Sequence, residues 1–324
     1  MAVLSRPRGV VETLPTRPAP RRVGRGRRLR RDWLLLVCAV PGLVWLLVFH
    51  YAPLLGNVIA FKDYQPYVGI ADAPWVGFDN FSIIVNGDPA FLNALVNTLV
   101  ISLLQLLFVF PIPIALALLL NSLVSERMKR TVQSILYLPH FLSWVIIVAI
   151  FQHMLGNTGL LNGFLTEHDL GSVSIIGNPE LFKELVVAQV VWKDTGWGMI
   201  LFLAAMSRID PELYEAAAVD GASRLRQVWH VTLPGIKSVV ALLLILRLGD
   251  VLSVGFEQIL LQQNAVGPTA SEVLDTYVFN NAVGAGSWGA SAAAGLVKGV
   301  VGVALVLGAN KVAHLFGERG VYQR

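Results

Sequence analysis

Six ionisable side chains inside apolar runs, Lys193, Asp194, Arg247, Asp250, Glu257 and Lys298, are where this chain could do chemistry. A charge at the middle of a bilayer is costly unless paired or hydrated, so such residues mark ion pairs, solute paths or catalysis. Asp250 and Glu257 would suit a membrane-embedded transferase acting on a lipid-linked sugar. Lys193, Asp194 and Asp250 would suit an ion- or proton-coupled secondary transporter. Against the transferase, no paired carboxylates lie in a polar loop where a metal-nucleotide could bind. The sequence has no G-x-x-x-x-G-K-[ST] phosphate loop, no G-x-S-x-G nucleophile elbow and no His/Cys cluster of metal-ligand spacing. Gly284 to Gly289 matches G-x-G-x-x-G, but no strand is expected before it and no helix after it suits a dinucleotide fold. The chain is therefore expected to have no catalytic, metal or cofactor site of its own. Any nucleotide hydrolysis must come from a partner.

Composition says which elements hold these residues. Of 324 residues, 55% are hydrophobic and 14% charged, where soluble domains carry about 25% charged residues. With a mean hydropathy of +0.64, the expectation is an all-α, polytopic membrane protein. Six transmembrane helices are expected, at about 33–61, 91–120, 132–155, 185–206, 237–262 and 291–315. Pro41 and Pro53 should bend the first, and Pro111 and Pro113 lie in the second. The single cysteine, Cys38, rules out an intramolecular disulfide. Residues 1–31 hold ten arginines against one acid, Glu12, and should form a disordered cytoplasmic tail. The remainder, 32–324, is expected to form the membrane domain. The net charge of +4 sits in that tail, so it speaks to topology and not to a nucleic-acid partner.

Charge bias sets the orientation. Basic residues dominate the tail, the segment after the second span (Arg127, Lys129, Arg130) and the C-terminus (Lys311, Arg319, Arg324). Acidic residues dominate the loops after the first, third and fifth spans. With six spans, both termini are cytoplasmic, and so is the loop at 207–236 between spans four and five.

On a continuous fifth span, Arg247, Asp250 and Glu257 fall in one helical sector, because spacings of three and seven are near whole turns. That sector must face other helices or a water-filled path. One reading is a structural network of ion pairs, such as Lys193 or Lys298 with Asp250. The other is a substrate path, to which Glu257 and Gln258, toward the outer half, would contribute. Aromatic platforms suit sugars, so Trp144, Trp192, Trp197 and Phe256 are further candidates, though each alone is commonly packing. Asn97 and Gln105 could also point inward.

The cytoplasmic loop reads as two short helices. Asp210-Pro211-Glu212 supplies a capping carboxylate, a first-position proline and a first-turn acid. Gly221 permits a break, and a second amphipathic helix with Leu225, Val228 and Trp229 on one side is expected to stop at Pro234. Such a pair could lie on lipid headgroups or dock a partner, and composition does not choose between them.

The residue pattern does. Glu215-Ala216-Ala217, Gly221, Val231 and Leu233-Pro234 resemble the EAA loop of the membrane subunits of binding-protein-dependent ABC importers, with valine where isoleucine is commonest. YLPHFLSWV (137–145), the stretch 191–222, VGFEQILL (254–261) and SEVLDTYVF (271–279) resemble the oligo- or polysaccharide branch of the sugar permeases, which includes the maltose transporter membrane subunits. The resemblance implies a type I importer permease in a bacterial inner membrane. It implies that Glu215, Ala216, Ala217, Asp220, Gly221, Leu233 and Pro234 contact an ATPase subunit. It implies an ATPase dimer that binds ATP and magnesium, a second permease subunit, and a solute-binding protein that delivers an oligosaccharide.

Overall fold

The computed structural model describes residues 33–123 and 125–315. The arginine-rich tail, Arg319 and Arg324 lie outside them. Contacts divide the chain into two compact units, Met1–Gly56 and Asn57–Arg324.

In the first unit, α1 (Trp33–Leu46) contains Pro41 without interruption. It passes into a π turn, Leu47–Tyr51, where the Ala52 amide bonds to the Leu47 carbonyl. The change of repeat thus falls just ahead of Pro53, which has no amide hydrogen to continue a regular ladder.

The second unit is helical, and the only β pairing among its described residues is an isolated bridge between Lys62 and Trp75. Asp88 caps α2 (Pro89–Phe108), accepting from the Ala90 amide at 2.9 Å. After a two-residue interruption, α3 (Pro111–Asn121) starts on a proline, which a first turn tolerates.

The expected third span is not one helix. The chain forms α4 (Glu126–Tyr137), a 3-10 turn (Leu138–Phe141), an extended Leu142, then α5 (Trp144–Leu155) and α6 (Leu160–Glu167). Pro139 removes a donor from the ladder, and the Ser143 hydroxyl restarts the helix by accepting from the Ile146 amide.

At the centre lies α7 (Phe182–Met206), packed against α2, α3 and α4. It leads to α8 (Pro211–Val219) and α9 (Arg224–Gln227), which runs through a π turn (Val228–Thr232) into α10 (Leu233–Gly249). Then come α11 (Phe256–Val266), α12 (Leu274–Phe279) and α13 (Trp288–Leu315).

Among the described residues, five helices are long and apolar enough to cross a membrane: Val37–Phe61, Pro89–Asn121, Trp144–Glu167, Arg224–Gly249 and Trp288–Leu315. The expected fourth span is present as the 25-residue α7 but is not among these five. Its polar residues, Lys193 and Asp194 among them, dilute its hydropathy. Burial explains how it can carry them: about half of α7 is buried, against none of Val37–Phe61 in its most apolar stretch.

Two apolar clusters fix α7. Near its start, Phe182, Val186 and Val187 pack with Ile101 of α2 and Ile259 of α11. Near its end, Met199, Phe202 and Met206 pack with Ala117 and Leu120 of α3 and Ile236 of α10. Between them Gly196 brings α7 against α4: a Cβ there would sit 1.9 Å from the Leu136 carbonyl oxygen. Only glycine allows that approach.

Candidate functional site: a protruding helix pair and a polar cluster on the spans

The helix pair forms for local reasons. The Asp210 carboxylate accepts from the Glu212 amide at 3.0 Å, with Pro211 at the first helical position. On α8, no residue is buried, and Glu215 and Ala216 are exposed with Ala217 partly so. The turn between the helices holds an exposed Asp220 and then Gly221 at φ +75, where an added Cβ would meet nothing within 4 Å. Glycine is favoured there by the left-handed backbone, not by lack of space. The Ser223 hydroxyl caps α9. Tyr214 and Thr232 hydroxyls hydrogen-bond at 3.0 Å, tying α8 to the π turn. Leu213, Val219, Leu225 and Trp229 are all more than half exposed, and Val219 reaches 89%. Large apolar side chains are thus exposed on this helix pair, as on surfaces that meet a partner or lipid.

The expected stop at Pro234 is corrected. Arg224 to Gly249 is one continuous helix, because the π turn absorbs the proline. The Leu233 amide reaches back five residues to the Val228 carbonyl, which widens the helix where the Pro234 ring and its missing donor would otherwise break it. Leu233 and Pro234 therefore join the projection rigidly to the span α10.

The charge stripe on the fifth span is also corrected. α10 ends at Gly249, the chain unwinds from Asp250 to Gly255, and α11 starts at Phe256. Arg247, Asp250 and Glu257 do not share one helical sector. Arg247 donates to the Gln105 side-chain oxygen of α2 at 2.6 Å. Gln105 in turn donates to the Val254 carbonyl at 3.0 Å, and Ser102 donates to the Val251 carbonyl. Asn97 donates to the carbonyls of Thr269 and Glu272. The polar face of α2 thus satisfies backbone freed by the unwound segment and by the chain after α11, which buried backbone requires. Asn97 and Gln105 do point inward.

The proposed pairing of Lys193 or Lys298 with Asp250 does not form. Lys298 pairs with Asp275 of α12. Lys193, 9% exposed, donates to the carbonyls of His140, at 2.9 Å, and Leu142, and lies 5.3 Å from the Trp144 ring centre. A lysine reads as half of an ion pair in sequence. Here two of its donors serve a helix break instead.

Beside it, His140 Nδ1 and Asp194 Oδ1 share a 2.9 Å hydrogen bond, and the imidazole stacks on Trp197 with centres 4.6 Å apart. Trp197 is about half exposed, so the stack presents an aromatic face with a carboxylate at its edge. Asp250 is exposed and, with Ser253, Asp275 and Lys298, lines a cavity of about 850 Å³ against α13.

Gln258 is fully buried, donating to the Gln189 side-chain oxygen at 2.7 Å and to the Val186 carbonyl. Gln262 completes that amide trio. Gln258 joins α11 to α7 and is not open to a solute. Trp192 stands away from the stack, edge-on to Phe151, and Phe256 is edge-on to Phe279. Glu257 is exposed on the first turn of α11. Reading charges alone missed His140, Asp275 and the Gln189–Gln262 pair. For His140 a signal existed: a polar residue directly after a proline within an apolar run.

Residues 108–315 match the family described as binding-protein-dependent transport system inner membrane component. Over 295 residues the chain is 44% identical to Protein LplB of Bacillus subtilis strain 168, covering 91% of this chain and 92% of the relative. It is 45% identical over 296 residues to the polygalacturonan/rhamnogalacturonan transport system permease protein YteP of the same organism, with the same shares covered. A chain of a bacterial ABC transporter involved in the import of the acidic polysaccharide alginate superposes with a TM-score of 0.81 at 37% identity, covering 89% of this chain and 98% of that one. A second such structure, in complex with an alginate pentasaccharide-bound periplasmic protein, gives 0.81 at 37%, covering 91% and 99%. The chain belongs to the family of inner membrane components of binding-protein-dependent transport systems.

Proposed function

We propose that this chain is one of two permease subunits of an ATP-driven importer, and that it translocates an oligosaccharide handed over by a solute-binding protein. The protruding pair α8–α9 carries the reading. It bears Glu215, Ala216 and Ala217 on an unburied helix, turns at a left-handed Gly221, and is continuous with α10 through Leu233 and Pro234. An ATPase dimer, holding ATP and magnesium, would dock on this projection. Closure of that dimer would move α10 as a lever, and free energy enters only through the difference in binding between the two permease states. In this reading α7 is the sixth crossing and both termini are cytoplasmic.

The solute path runs where spans break. The His140–Trp197 stack with Asp194 offers an aromatic face beside a carboxylate, and the cavity beside Asp250 offers further hydrogen-bonding groups. That combination suits the alternating apolar faces and hydroxyls of a sugar. The oligosaccharide class is supported by the carbohydrate importers named among the relatives.

The test is uptake by proteoliposomes holding this chain, its partner permease and ATPase, and the binding protein. Labelled neutral and acidic oligosaccharides serve as substrates. Uptake that needs ATP, and that Glu215→Lys abolishes, is the expected result. Uptake driven by an ion gradient without ATP would overturn the proposal and favour a secondary transporter.

A further inference from the structure

Behind the helix pair lies a cavity of about 370 Å³ whose polar wall is formed by Asn121, Tyr214, Arg224, Gln227 and Thr232. Arg224 is its one cation, and no carboxylate lines it. The guanidinium is exposed and makes a single hydrogen bond, 3.3 Å long, from Nη1 to the Ser122 carbonyl; it forms no ion pair among the described residues. An arginine has five N–H donors in a planar fork suited to phosphate, and one hydrogen bond among the described residues leaves most of this donor set uncommitted beside the cavity.

The position adds a second argument. One wall is the end of the apolar helix Pro89–Asn121 and the other is the start of Arg224–Gly249, so the cavity lies at the ends of two helices long and apolar enough to cross a membrane, where a headgroup layer would meet them. Leu118, Leu123 and Val228 supply an apolar side to the same cavity. The next helix, α4, opens with Arg127, Lys129 and Arg130 against Glu126. Basic residues at the end of a span draw anionic lipid to that surface.

We propose that this cavity is a phosphate-binding site, filled in the membrane by the headgroup of an anionic glycerophospholipid. The phosphate takes the open donors of Arg224, with Asn121 and Gln227 in reach of the headgroup hydroxyls. The leucines and Val228 meet the glycerol ester region. A lipid held there braces the end of α3 against the helix pair, so headgroup composition would tune the stiffness of the projection. The inference needs only the membrane setting of the family and not the sugar or the ATPase.

Native mass spectrometry of the purified full-length chain with its co-purifying subunits tests this, with phosphatidylglycerol, phosphatidylcholine and free glycerol phosphate as probes. Phosphatidylglycerol should be retained over phosphatidylcholine, and Arg224→Gln should weaken its retention about tenfold, the loss of one charge-assisted contact. Arg224→Lys should lose less, since it keeps the charge without the fork. Arg224-dependent binding of free glycerol phosphate would support the phosphate site with a soluble source, whereas binding of the lipid alone would assign it to the membrane. Equal retention of phosphatidylglycerol by wild type and Arg224→Gln overturns the proposal. Should Arg224→Gln fail to fold, Asn121→Ala gives the same reading, with a severalfold loss expected and unchanged retention overturning it.

Discussion

The buried Lys193 ammonium donates to the His140 carbonyl oxygen at 2.9 Å, so one cation on α7 holds open the helix break between α4 and α5. The same break sets the His140 ring against Trp197 and Asp194. The helix break and the proposed solute path therefore depend on one side chain.

Lys193→Met keeps the apolar stem but leaves the His140 and Leu142 carbonyls without their donor. Hydrogen bonds to charged groups contribute about 1.5–3 kcal/mol each, so the loss should be about 3 kcal/mol or more. Unfolding in detergent, followed by Trp fluorescence, measures it. A midpoint equal to wild type would show that the ammonium is not needed at the break.

Gly196→Ala is predicted to be among the most damaging substitutions in the chain. Its Cβ would lie 1.9 Å from a backbone oxygen, and backbone cannot rotate away as a side chain can. Gly198→Ala meets only Pro113 side-chain atoms, at 3.2 Å, and should be milder. Yields of monodisperse protein should rank wild type, Gly198→Ala, then Gly196→Ala; comparable yields for the two variants would contradict the close approach of α4 and α7.

At Gly221 the backbone and the docking surface can be separated. Asn and Asp tolerate the left-handed region better than other residues, whereas Val there is strained by about 1–2 kcal/mol or more. Open space surrounds the position, so Gly221→Asn and Gly221→Asp should fold. Gly221→Asp is nonetheless expected to lower ATP-driven uptake about tenfold or more, by placing a charge on the surface proposed to meet the ATPase. Normal uptake by Gly221→Asp would remove this turn from the docking surface.

Tyr277 lies in the packing between α2, α12 and α13, and its hydroxyl donates to Asp88 at 3.1 Å. Burial, then the bond to Asp88, push its pKa up to about 12 from the ordinary 10. The fold therefore holds this proton more tightly than the unfolded chain does. The stabilising contribution is complete below pH 10 and is lost as pH rises from about 10 to about 12. Stability measured across that window should fall in wild type, and Tyr277→Phe should flatten the part of the fall that Tyr277 causes. Superimposable pH profiles would mean that Tyr277 ionises alike in both states.

Composition and local pattern alone determined much of this protein. Low charge and long apolar runs dictated a helical membrane chain, and Asp210-Pro211 with Gly221 dictated a helix pair with a turn between. These features are local, resting on hydropathy, capping and backbone freedom, and those act over a few residues. Tertiary structure decided what the polar residues inside the spans do. Periodicity reads Arg247, Asp250 and Glu257 as one stripe only while the helix is continuous. Whether it continues past Gly249 depends on Ser102 and Gln105, nearly 150 positions earlier, accepting the task of satisfying the freed carbonyls. Likewise Lys193 gives no sign in sequence that its partners are backbone oxygens of residues about fifty positions away. A broken helix inside a membrane is stable only where other helices supply its missing hydrogen bonds, and that supply exists only once the helices have packed.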